Sequence, residues 1–136
     1  MKDVLWRYAW IGTGSALGGV GRYWLSGLVA QRYGETFPWG TIFVNVTGSF
    51  AIGFFATITG TEGRLLVPSL VRQFFMIGVC GGYTTFSSFS LQTLNLAREG
   101  DLYKAAANVI LALVLCLASV WLGHTLALAF NDVRGG

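Results

Sequence analysis

An all-α membrane protein with four transmembrane helices is the fold class this sequence predicts, and three observations predict it. The chain of 136 residues is 54% hydrophobic and only 11% charged, where soluble domains carry roughly 25% charged residues. Asp, Glu, Lys and Arg are absent from residues 39–60, 73–97 and 105–130, and residues 8–30 contain a single one, Arg22. Each stretch reaches the roughly 20 residues needed to cross a hydrocarbon core about 30 Å thick. The whole chain, 1–136, reads as one four-helix domain with both termini on the same side of the bilayer.

The formal charge of +3 does not indicate nucleic acid, because the basic residues are spread over loops and ends with no basic helix face. Cys80 and Cys116 both fall inside expected spans, which argues against a disulfide framework and for small buried side chains. The first apolar segment is long and no small-residue cleavage site follows it, so it is expected to remain as helix 1. Counting Lys and Arg by side gives five (Lys2, Arg7, Arg64, Arg72, Arg134) against three (Arg32, Arg98, Lys104). That bias is weak by the positive-inside rule. An ordinary fixed topology and insertion in both orientations stay open, the second allowing an antiparallel two-fold dimer.

Helix 1 (8–30) is dense in small residues: Gly12, Gly14, Ser15, Gly18, Gly19 and Gly21. Such residues let backbones approach closely, since packing rather than hydrophobicity drives helix association in lipid. Arg22 on the same helix would cost about 2.5–3.5 kcal/mol at mid-bilayer. It either snorkels to the interface or places a cation at the mouth of a water-filled vestibule.

Helix 2 (39–60) follows Pro38 and carries Asn45, with Thr41 one turn before it on the same face. Asn45 suits an interhelical hydrogen bond, and it also suits an anion, because its amide supplies two N–H donors.

Helix 3 (73–97) contains Cys-Gly-Gly-Tyr-Thr-Thr-Phe-Ser-Ser-Phe-Ser, residues 80–90. A double glycine with six hydroxyl side chains is poor material for facing lipid. Freed backbone at this depth is tolerated only where protein buries it or water reaches it, so a break near the middle of helix 3 is expected. Phe86 and Phe89 share a face, with Thr84, Thr85, Ser87, Ser88 and Ser90 around them. Helix 4 (105–130) is plain apart from Asn108, Ser119 and His124, the last read as a helix-end residue.

No expected span contains Asp or Glu, which removes the usual logic of proton-coupled antiport. There is no hydrolase constellation and no phosphate loop, so the chain is not expected to be an enzyme. What remains is a pore or carrier built from hydroxyl, amide and aromatic groups. An aromatic ring is positive at its edge, so a phenylalanine edge can coordinate an anion.

These residues match a family. Gly81 to Ser90 resembles the helix 3 signature of the Fluc (CrcB) fluoride channels. Gly40-Thr41-Ile42-Phe43-Val44-Asn45 is similar to the family's helix 2 motif, and Gly21-Arg22-Tyr23-Trp24 to its helix 1 arginine motif. The resemblance implies a passive, fluoride-selective channel that relieves fluoride toxicity. It implies a multi-pass protein of the bacterial inner membrane, assembled as an antiparallel dual-topology homodimer. Phe86 and Phe89 would line the fluoride pathway with ring edges and Asn45 would donate its amide, with Ser88 and Thr41 as polar neighbours. Arg22 would lie towards a vestibule. The carbonyls of Gly81 and Thr84 would surround a structural sodium ion shared with the partner subunit. Two positions depart from the pattern: Gln92, where many members have Glu, and Cys116, where some have Ser. The competing reading is a small dual-topology multidrug or cation carrier, against which the missing membrane carboxylate counts.

Overall fold

A computed structural model describes residues 1–133; Arg134, counted above among the basic residues, lies outside them. The described chain is helical: α1 (Lys2–Tyr33), α2 (Trp39–Ile58), α3 (Ser69–Gln73), a π-helical stretch (Phe74–Cys80), α4 (Gly81–Tyr83), α5 (Phe86–Arg98) and α6 (Leu102–Asp132). Three helical stretches are long and apolar enough to cross a membrane: Trp39–Ile58, Ser69–Arg98 and Leu102–Asp132. The first helix, α1, is 32 residues long. It is not among the three, because Arg22 and the many glycines dilute the apolar content of residues 8–30.

Local chemistry sets the ends of these elements. α1 stops at Gly34, whose φ of 81° suits a residue without Cβ. Pro38, which has no N–H to leave unsatisfied, precedes α2. Asp101 caps α6 by accepting from the Lys104 N–H, and its carboxylate also pairs with Lys104 Nζ at 2.8 Å.

Two arginines close the far ends of α2 and α6. Arg72 donates to the Ala56 carbonyl at 3.3 Å and to Thr59 Oγ1. Arg64 donates to the Phe130 carbonyl and, through its backbone N–H, to Asn131 Oδ1, both at 3.0 Å. Cations favour a helix C-terminus, where unsatisfied carbonyls gather. These contacts bring Arg64 and Arg72 to the same end of the bundle; from the sequence, Arg72 could be placed on either side.

Glycine decides how closely the helices pack. α1 lies against the π-helical stretch and α4, and α2 runs along α6. A Cβ at Gly18 would collide with the Val79 carbonyl, and one at Gly82 with the Ser15 carbonyl. Across the second pair, a Cβ at Gly53 would strike Val120 and one at Gly123 the Phe50 carbonyl. This is close backbone approach by small residues, the packing mode available in lipid.

The polar residues of α6 find partners in the neighbouring helices. Asn108, 1% exposed, donates to Thr93 Oγ1 at 2.9 Å. Ser119 donates to the Val46 carbonyl at 2.7 Å. His124 Nδ1 lies 2.7 Å from Thr57 Oγ1. Asn108, the buried one of the three, thereby avoids the cost of burial without a partner.

Candidate ion site at the helix interruption

Helical backbone runs from Ser69 to Tyr83 and then stops for two residues. Thr84 (φ −83°, ψ 159°) and Thr85 (φ −153°, ψ 117°) are extended, and α5 begins at Phe86. An uninterrupted helix would direct the Thr85 N–H to the Gly81 carbonyl. Here the Thr85 N–H donates instead to Asn45 Oδ1 at 2.8 Å, while Asn45 Nδ2 donates to the Thr85 carbonyl at 2.9 Å. The Gly81 carbonyl thereby loses its helical donor.

The hydroxyls of the motif divide into two groups. Thr84 and Ser90 donate back to the carbonyls four residues earlier, Cys80 and Phe86, at 2.9 Å each. This is the ordinary behaviour of Ser and Thr within helices. Thr85, Ser87 and Ser88 instead cluster at the start of α5. Thr85 Oγ1 accepts from the Ser88 N–H at 3.2 Å, donates to Ser88 Oγ at 3.1 Å and lies 3.3 Å from Ser87 Oγ. Thr85 is therefore the N-cap of α5, which satisfies one of the N–H groups a new helix leaves open.

Phe86 and Phe89 follow the cap, their ring centroids 5.3 Å apart and their planes inclined by 51°. Both line a cleft of about 320 Å³ together with Asn45, Gly81, Thr84 and Cys116. Among the described residues, no carboxylate or cation lines it. The groups it offers to an ion are an amide, hydroxyls, backbone and ring edges. Phe89 is 9% exposed and Phe86 74% exposed, so the pair is covered from one side only.

Comparison with known proteins bears on this cleft. Residues 9–124 match the family model described as CrcB-like protein, Camphor Resistance (CrcB). The chain belongs to the CrcB family. It is 64% identical over 128 residues to a protein of Opitutus terrae named fluoride-specific ion channel FluC, covering 94% of this chain and 97% of that one. It is 57% identical over 128 residues to a protein of the same name from Methylocella silvestris, covering 94% and 98%. A third of that name, from Rhodospirillum rubrum, is 59% identical over 125 residues, covering 92% and 97%.

Of the residues singled out from the sequence, this CrcB chain brings Asn45, Gly81, Thr84, Phe86 and Phe89 to one cleft, with Ser88 bonded to its neighbour Thr85. Thr41 is buried one turn from Asn45. It lines a different cleft of about 1000 Å³, shared with Trp24, Ser26, Gln92, Asn95 and Glu99. Arg22 lines neither cleft. Gln92 presents Oε1 as a buried oxygen with no hydrogen-bond partner. The sequence reading places Thr85 among the hydroxyls around the rings but not as a cap, although a threonine three residues before a serine N–H at a helix start is a recognisable capping signal. Tyr83 was likewise passed over; its hydroxyl lies 2.7 Å from Thr47 Oγ1, tying α4 to α2.

Proposed function

We propose that this chain is a passive fluoride-specific ion channel and not an enzyme, its ion path passing the Asn45–Phe86–Phe89 cleft. The observation that carries the reading is the chemistry of that cleft. It offers amide, hydroxyl and ring-edge groups with no carboxylate, in a chain 64% identical to a protein named as a fluoride-specific channel. Dehydrating a small anion costs on the order of tens of kcal/mol in a low-dielectric medium, so conduction requires replacement donors. Asn45 has a second amide hydrogen beyond the one given to Thr85. The positive edges of Phe86 and Phe89 supply further weak contacts. Ligands that are individually weak also let the ion leave.

In this reading α1 is a fourth transmembrane helix and Ser69–Arg98 spans the membrane as a helix broken at Thr84–Thr85. The protein is a multi-pass component of the bacterial inner membrane, working as an antiparallel dual-topology homodimer. Two features support the dimer: the weak charge bias, five against three, and the uncovered side of Phe86. A second copy lying over the interruption would enclose the cleft.

A structural sodium fits the interruption on donor chemistry. The Gly81 carbonyl has lost its helical donor, and Thr84 adjoins it in extended backbone. Hard cations take oxygen ligands, and no group of three or more His, Cys, Asp or Glu occurs among the described residues to suggest another type of metal site. Gly81 and Thr84 would hold the ion through their carbonyls together with the partner subunit, and its charge would fix the two interruptions against each other. Fluoride efflux from proteoliposomes, with chloride run in parallel, tests the function.

A further inference from the structure

We propose that Asn45 is a positioning residue: it holds Thr85 extended and so maintains the helix interruption on which the ion site depends. The inference rests on the channel reading for its functional consequence, and on geometry for the clamp itself.

The geometry is specific. Asn45 Oδ1 accepts from the Thr85 N–H at 2.8 Å and Asn45 Nδ2 donates to the Thr85 carbonyl at 2.9 Å. Both backbone groups belong to one residue. In extended backbone a residue's own N–H and C=O point to the same side, as in the hydrogen-bonded pairs of an antiparallel ladder. In a helix they point in opposite directions along the axis. One planar amide can therefore satisfy both groups of Thr85 only when Thr85 is extended, as its φ of −153° and ψ of 117° record. Asparagine suits the task because it carries an acceptor and a donor on one rigid plane. Serine has a single oxygen, and aspartate lacks the donor when ionised.

The alternative partner for the Thr85 N–H is the Gly81 carbonyl four residues earlier. Without Asn45, that helical bond can re-form across Thr84–Thr85. The Gly81 carbonyl would then be occupied, and Phe86 and Phe89 would rotate with α5 away from their present cleft. Asn45 therefore acts on the rings and on the carbonyls through one peptide unit, in addition to any contact of its free N–H with an ion.

The test is the backbone ¹³C shifts of Thr84 and Thr85 in nanodiscs, for wild type, Asn45→Ala and Asn45→Asp, with fluoride efflux measured on the same preparations. Wild type should show extended shifts at both threonines. Asn45→Ala should move Thr85 towards helical values, leave Asn108 unchanged and cut efflux at least tenfold. If Asn45→Ala does not fold, Asn45→Asp retains the acceptor for the Thr85 N–H and loses the donor, so the Thr85 carbonyl carbon alone should move upfield. Unchanged Thr85 shifts in whichever variant folds would overturn the proposal. Shifts that move as described in a protein without fluoride flux would leave the clamp standing and reject the channel reading.

Discussion

Phe86 and Phe89 stand in ring contact, centroids 5.3 Å apart, yet one is 74% exposed and the other 9%. The two rings therefore differ in what they do for the fold. Phe86→Ile and Phe89→Ile should each lower fluoride efflux at least tenfold, because isoleucine has no positive ring edge. Only Phe89→Ile should also lower the stability of the subunit, by about 1–2 kcal/mol, as a change of shape in a packed site does. Liposome efflux and thermal melts of the detergent-solubilised protein separate the two effects. Equal melting of both variants would contradict the packing difference.

Sodium should matter to assembly if the carbonyls of Gly81 and Thr84 hold it. Purification and reconstitution with N-methylglucamine in place of sodium should reduce the dimer fraction and the efflux together, and sodium added back should restore both. Size exclusion with light scattering measures the first. Identical dimer content in both salts would argue against a cation at the interruption.

Gly18 and Gly123 have carbonyls, those of Val79 and Phe50, where a Cβ would sit. Backbone moves less readily than the end of a side chain, so Gly18→Ala and Gly123→Ala should each cost stability by about 1–3 kcal/mol, the range for overpacking. Thermal melts in detergent check this; a Gly18→Ala variant as stable as wild type would contradict the close α1 packing.

Much of this was legible in the sequence because lipid imposes strict rules on composition. Charge-free runs located the apolar helices, but the double glycine was not where the backbone turns extended: Gly81 and Gly82 lie in α4, and the extended residues are Thr84 and Thr85. The Asn45–Thr85 bond was not legible. Its partners lie 40 residues apart, and spacing within α2 says nothing of which backbone group on another element waits for an amide. The π-helical stretch Phe74–Cys80 was invisible too, because no residue pattern in the sequence announces such a widened turn. Nor did spacing distinguish Thr41 from Asn45. They share a face of α2, but Thr41 opens on the larger cleft beside Gln92.

Asp101 gives a pH dependence at the turn before α6. Hydrogen bonds from Lys104, first to its side chain and then from the backbone, hold its carboxyl below the ordinary value of 3.8. A carboxylate lowered in the folded state contributes stability that is fully present above the ordinary value and is lost as pH falls through the folded one. The melting temperature should therefore fall on acidification below about pH 4, and Asp101→Asn should flatten part of that fall. A variant whose acid profile superimposes on wild type would remove Asp101 from the explanation.

Fluoride efflux from liposomes containing the purified chain, recorded with a fluoride electrode beside a chloride control, is the most direct test of all. A fluoride-specific channel releases fluoride far faster than empty liposomes do while chloride stays trapped. Fluoride release no faster than from empty vesicles, or chloride release at a matching rate, would contradict it.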